Sequence, residues 1–199
     1  MSSAVLAVAL LAAATYLPCL GTECGLTQKD EFNLSLRTQV ETIERGGFFT
    51  PYLDGSPRLQ KPPLVYWAMI GLGMAFGNSL FVARLPGVVC AAGLAVATMC
   101  LARDLGCRRD RQAAAGVLTL TCLGVYVLGR MALLDVPLAC LVAWSIAAFV
   151  RWSRRGAPAW LIVSALAAGL SAMAKGPPGP LFVAGVAAWL FVYGIGFRI

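Results

Sequence analysis

Asp30 and Glu31 follow the first apolar run as adjacent carboxylates, and Asp135 stands in GRMALLDVPL between two later runs. A charge so close to apolar segments is costly unless it has a partner or a task. Two tasks are open to these acids: taking a proton as a general base, or capping a helix, which is worth about 1 kcal/mol. Three cations complete the set. Lys61 precedes Pro62-Pro63, which holds it extended and then opens a helix. Arg58 follows Pro57, and Asp54-Gly55 turns the chain before both; Lys175 lies in AKGPPGP. Cations fixed in this way suit an anion in a fixed place, since a close phosphate contact is worth on the order of 4 kcal/mol at an effective dielectric of about 20. Ordinary phospholipid headgroups satisfy Arg58 and Lys61 equally well, and snorkelling to the interface satisfies Lys175. The chain has no histidine, which excludes a His-based triad, a His-ligated zinc site and c-type haem attachment.

These residues must be positioned by a chain of 199 residues that is 59% hydrophobic and 13% charged, with mean hydropathy +0.78. A soluble domain carries about 25% charged residues. The composition therefore excludes a soluble enzyme and a disordered chain, and leaves an integral membrane protein. The net charge of +7 lies between apolar runs and reports orientation rather than nucleic acid. Six stretches read as spans: 4–21, 80–102, 113–129, 136–150, 158–174 and 180–196. The first is read as a retained anchor, because no Lys or Arg precedes it and no small-x-small site follows Leu17. A seventh run, 64–77, is decided by charge. Arg103, Arg108, Arg109 and Arg111 crowd one short loop, and Arg151, Arg154 and Arg155 another. Both loops are cytoplasmic by the positive-inside rule if 64–77 does not span. It is read as an interfacial helix, which puts the N-terminus in the cytoplasm and the loop 22–79 outside. Within that loop, 32–46 is expected to be an amphipathic surface helix, with Leu34, Leu36, Val40 and Ile43 on one side and Arg37, Glu41, Glu44 and Arg45 on the wet side. Cys19 and Cys24 are the candidate disulfide; Cys90, Cys100, Cys122 and Cys140 lie in apolar runs as small hydrophobes.

Asp30-Glu31 after the first run, DGSPRLQKPPLVYW, ARLPG at 83–87, GRMALLDVPL at 129–138 and AKGPPG at 174–179 together resemble a known family. They are similar to the N-terminal half of GT-C superfamily glycosyltransferases that use polyprenyl-phosphate sugars, the dolichyl-phosphate-mannose protein mannosyltransferase-like and aminoarabinose (lipid A) transferase-like members. The resemblance implies an all-α, polytopic membrane helix bundle of about six spans whose outer loop carries interfacial helices. It also implies that 1–199 is the transmembrane catalytic module of a longer protein. Asp30 matches the acid at the catalytic centre, with Glu31 beside it; Asp135 matches the second outer-loop acid; Lys61 matches the lysine on the carrier-lipid phosphate, to which Arg58 and Lys175 are added. The chain departs from the pattern at Gln60, where the family has an acid, and at Asn33, near the place of an arginine of the aminoarabinose transferases. The sugar, the acceptor and any metal stay open.

The implied reaction moves a sugar from a polyprenyl-phosphate donor to a lipid or protein acceptor on the outer face of a bacterial inner membrane. Membrane lipids are the remaining partners, and neither a cofactor nor nucleic acid is expected. A prenyl phosphate leaves without a general acid, because its second pKa is about 6. One base and a phosphate clamp then suffice, and direct displacement inverts the anomeric centre. The rivals are a non-catalytic protein, such as a lipid-linked-sugar transporter or flippase component, and an inactive fragment. Transporters place charges near the midplane, whereas no acid falls in the middle of an expected span here.

Overall fold

A computed structural model gives the fold and describes residues 2–22 and 31–192. Their runs of Ala, Leu and Val form helices, as the length of the apolar stretches requires. α1 (Ser2–Tyr16) stops ahead of Pro18, which has no N–H to continue it. A π-helical turn, Glu31–Leu36, leads into α2 (Arg37–Glu44). A hairpin of β1 (Tyr52–Leu53) and β2 (Ser56–Pro57) comes next, in antiparallel register Tyr52 to Pro57. Its turn residues Asp54 (φ 53°) and Gly55 (φ 79°) both take the left-handed conformation that a two-residue turn needs. α3 (Leu64–Phe76) begins directly after Pro62-Pro63.

α4 (Leu80–Asp104), α7 (Asp135–Arg155) and α8 (Pro158–Lys175) are each long and apolar enough to cross a membrane. α5 (Arg109–Thr121) and α6 (Leu123–Gly129) meet that measure together, as a pair bent by 58°. The chain is a multi-pass membrane protein. The expected span 113–129 is thus a broken one: Cys122, with ψ 122°, leaves the helical region between its halves. The expected span 136–150 runs on to Arg155 and stops at Gly156, whose φ of 70° forms a left-handed cap. α1 and α9 (Pro178–Val192) have 15 residues each. α3 has 13. At about 1.5 Å per residue it covers roughly 20 Å, short of the roughly 30 Å hydrocarbon core.

α4 is the axis of the bundle, packing on α7, α5, α3 and α1. Against α1 it buries Val88, Ala91, Ala95 and Met99 under Val8, Ala12, Tyr16 and Leu20. The alanines let the two backbones approach, which is how membrane helices gain packing when lipid is as apolar as they are. A second core sets Val65, Tyr66, Met69 and Ile70 of α3 against Ala83, Ala132, Leu134 and Ala174. Gly87 lets the segment after α6 lie on α4: a Cβ there would meet the Gly129 carbonyl oxygen at 2.8 Å.

α2 keeps the expected amphipathic character, with Leu36 and Ile43 packed on the core and Arg37, Glu44 and Arg45 exposed, but departs from it at four positions. Its buried residues are Thr38, Gln39 and Thr42, while Val40 is 37% exposed. Polar side chains point inward because each has a partner there. Gln39 Nε2 donates to the Met69 carbonyl (3.0 Å), and Thr42 Oγ1 donates to the Thr38 carbonyl (2.6 Å) and accepts from the Tyr52 N–H (2.8 Å). Hydrogen bonding thus joins the apolar packing of Leu36 and Ile43 in docking α2 on α3 and the hairpin.

Candidate functional site

A cleft of about 440 Å³ opens where the hairpin, the start of α3 and the end of α8 meet. Three of the expected cations line it: Arg58, Lys61 and Lys175, with Gln60, Thr50 and the prolines 62, 63 and 177 completing the wall. The cations reach it from separate elements. Arg58 leaves β2, Lys61 sits ahead of the Pro62-Pro63 start of α3, and Lys175 ends α8 just before Gly176 (φ 92°) turns the chain into α9.

Arg58 is buried, and its Nη1 donates to Thr38 Oγ1 at 2.9 Å, while its guanidinium lies 5.1 Å from the Tyr66 ring centre. The inward polar face of α2 therefore aims this cation. Lys61 is exposed and has no acid partner among the described residues. Lys175 forms an ion pair with Asp135. That pair joins the first turn of α7 to the last turn of α8, each charge at the helix end whose dipole favours it. Asp135 does not cap α7: Leu134 holds the cap position and no side chain bonds there. Of the two, Lys175 lines the cleft, and the Asp135 and Lys175 side chains keep 42% and 33% exposure, so the pair is open to solvent.

Glu31 has a different setting. It is fully buried, and Arg84 of α4 grips both its oxygens, Nε to Oε1 at 2.7 Å and Nη2 to Oε2 at 2.9 Å. The Ala132 N–H adds a third bond at 2.8 Å. Arg84 also donates to the carbonyls of Leu20 (2.8 Å) and Thr22 (3.1 Å). Arg84 and Glu31 together thus tie the segment that follows α1, the beginning of the next described segment and the α6–α7 turn. Asp30 and Cys24 lie outside the described residues, and so does the expected Cys19–Cys24 pairing.

Arg84 is the residue that reading the sequence for chemistry misses. Its signal is present, an arginine in the ARLPG segment within the apolar run 80–102, and an ionisable residue inside a span calls for a partner. Arg130 is a second: it donates to the Thr15 and Pro18 carbonyls at 2.9 and 2.6 Å, closing the end of α1. Among the described residues no three Cys, Asp or Glu side chains group as a metal site.

Comparison with known proteins places this geometry. The model of the family described as dolichyl-phosphate-mannose-protein mannosyltransferase matches residues 60–197. The undecaprenyl phosphate-alpha-4-amino-4-deoxy-L-arabinose arabinosyl transferase of Enterobacter sp. (strain 638) is 32% identical over 186 residues, covering 88% of this chain and 32% of that protein. The crystal structure of ArnT from Cupriavidus metallidurans bound to undecaprenyl phosphate has the same fold, with a TM-score of 0.80 over 96% of this chain and 35% of that one, at 22% identity. Its apo state gives 0.78 over 98% and 36%, at 20% identity. The chain spans about a third of the length of these relatives.

Proposed function

The chain belongs to the dolichyl-phosphate-mannose-protein mannosyltransferase family, and from that premise we propose that it carries the carrier-lipid half of a membrane glycosyltransferase site. The donor is a sugar on a polyprenyl phosphate, and the cleft holds its phosphate. The observation that carries this reading is the convergence of Arg58, Lys61 and Lys175 on one cleft from three separate elements. Two similar proteins are named for undecaprenyl phosphate, as donor carrier or as bound ligand, which supports the same ligand class here.

In the reaction, the bond between the anomeric carbon and the phosphate oxygen breaks while a bond from the acceptor oxygen forms on the opposite face. The prenyl phosphate leaves with the electron pair, and the three cations stabilise the charge that grows on it. If the acceptor is a hydroxyl, its proton passes to a carboxylate, Asp30 first and Asp135 second among the candidates. An acceptor that is already an ionised phosphate needs no base, and the acids then orient the sugar. Glu31, with three donors on its two oxygens, serves this site as a positioning residue. No cofactor enters the scheme. The site faces the outer side of a bacterial inner membrane, the side opposite the arginine-rich loops. The sugar, which the arabinosyl relative makes a pentose candidate, and the acceptor are matters for assay.

The ion pair of Lys175 with Asp135 adds a step. At 33% and 42% exposure such a pair contributes about 0–1 kcal/mol. An incoming phosphate can therefore draw Lys175 away and leave the Asp135 carboxylate bare, beside the sugar. Donor binding itself prepares the acid.

The test is a binding and transfer assay on the full-length protein with a short-chain polyprenyl phosphate and its glycosylated form. Lys61→Ala should weaken polyprenyl phosphate binding by about tenfold, the loss of one charge-assisted contact. Asp30→Asn should abolish transfer to a hydroxyl acceptor while leaving that binding intact. Unchanged binding by Lys61→Ala and Arg58→Ala together would remove the cleft as the phosphate site.

A further inference from the structure

A second cleft, of about 220 Å³, lies at the other end of α4, between the start of α1, the last turn of α4 and the first turn of α5. Arg103, Arg109 and Gln112 line it, and Val5 and Met99 form an apolar wall. Arg84, which marks the first site's end of α4, and Arg103 are 19 positions apart on one helix, roughly 28 Å at about 1.5 Å per residue. This cleft is separate from the proposed donor site, and its chemistry is independent of that reading.

Among the described residues the charge at this end is not balanced. Seven arginines (103, 108, 109, 111, 151, 154 and 155) face two aspartates, Asp104 and Asp110. Both aspartates are engaged elsewhere. Asp104 is buried against Arg151, Nε to Oδ2 at 2.7 Å, and Asp110 lies 3.6 Å from Arg108. Among the described residues Arg109 has no acid partner. The cleft also stands at the first turn of α5, where the helix dipole is positive and the first N–H groups lack intrahelical acceptors. An anion is favoured there on three counts: two guanidinium groups, the helix end and the unbalanced field.

The apolar wall decides which anion. Val5 and Met99 belong to the α1–α4 core, while Leu6 and Leu10, next along α1 from the cleft, each leave 61% of their surface uncovered in a chain whose long helices cross a membrane. A ligand there has its charge among the arginines and its apolar body continuing from Val5 onto the exposed leucines of α1. We propose that this cleft binds the phosphodiester headgroup of an anionic phospholipid, with an acyl chain lying along α1 and α4.

The experiment uses the full-length protein in mild detergent, titrated with dioleoylphosphatidylglycerol or dioleoylphosphatidylcholine and read by native mass spectrometry. The expected result is preferential retention of the phosphatidylglycerol. Arg103→Gln/Arg109→Gln should weaken that retention by about tenfold, since two charge-assisted contacts are lost. Arg154→Gln/Arg155→Gln removes as much charge from the same end without touching the cleft, and should change retention by less than about twofold. Ser3→Trp, which fills the cleft mouth with charge unchanged, should weaken retention too, and it carries the test if the double arginine variant fails to fold. Equal losses in the two arginine pairs would overturn the proposal in favour of a diffuse charged face. Full competition by soluble glycerol phosphate would overturn the lipid assignment and leave a free-anion site. Normal retention by Ser3→Trp would also sink it.

Discussion

Two ion pairs at the same end of the molecule have opposite characters. Glu31–Arg84 is sealed, with side-chain exposures of 0% and 7%, and every oxygen of the acid is engaged. Asp135–Lys175 is open at the cleft, with a single ion contact and exposures of 42% and 33%. Removing one partner of a buried pair costs about 3–5 kcal/mol, because the other is left charged without water. An open pair is worth about 0–1 kcal/mol. The difference assigns their work: the sealed pair fixes where the segments that lead into α2 and α7 begin, and the open pair can exchange partners when an anion arrives. A carboxylate near an apolar run signals importance in both cases; burial decides whether that importance is structural or chemical.

The hardest way to break this contrast is Glu31→Gln. It keeps the shape but leaves the Arg84 charge buried, so the protein should lose about 3–5 kcal/mol. The loss should appear as a lower thermal midpoint in detergent and poor yield. Arg84→Met/Glu31→Met removes both charges and should recover much of the stability, which a catalytic Glu31 would not explain if transfer recovered with it. A Glu31→Gln protein of normal stability with no transfer would reverse the assignment and make Glu31 part of the chemistry.

A smaller effect is expected one step away from the cleft, at Thr38. Its hydroxyl accepts from Arg58 Nη1 at 2.9 Å, and hydrogen bonds to charged groups contribute about 1.5–3 kcal/mol. Thr38→Val keeps the size and leaves Arg58 less well aimed, so affinity for polyprenyl phosphate should fall by roughly tenfold, with stability changing less than in Glu31→Gln. Thr38→Ser should restore the affinity. If Ser fails where Val fails, the methyl group rather than the hydroxyl is what Arg58 needs.

Much of this is legible without the structure. Apolar run length sets the helical bundle, and the proline-rigidified or helix-end contexts of Lys61, Arg58 and Lys175 single them out as cations held in place; all three line one cleft. Less legible is anything governed by partner choice. α2 adds a polar inward face because Thr38, Gln39 and Thr42 turn to meet Arg58, Met69 and Tyr52, and no period in the sequence encodes which polar residues will find partners. Arg84 escapes notice because one arginine in the first turns of a 25-residue apolar helix leaves the pattern intact. Its partner lies 53 positions away. The break at Cys122 carries no proline or glycine at that position, so composition gives no warning of it.

The finest test of the contrast concerns the exchange at Lys175. If Lys175 divides its time between Asp135 and an incoming phosphate, removing the acid should make the anion bind more tightly. An open pair is worth at most about 1 kcal/mol, so Asp135→Asn should tighten polyprenyl phosphate binding by no more than about fivefold. Turnover should fall at the same time, because the carboxylate that the exchange exposes is gone. Tighter binding alone has a second explanation, relief of repulsion between the carboxylate and the phosphate. The two separate in a double-mutant cycle with Lys175→Met, which keeps the length of the side chain. Exchange requires the Asp135→Asn gain to disappear once Lys175 is absent, since there is no cation left to release. Repulsion predicts that the gain persists or grows, because an uncompensated Asp135 then faces the phosphate directly. A gain that survives in the Lys175→Met background would leave Asp135 and Lys175 as a static pair, and the open site would differ from the sealed one only in exposure.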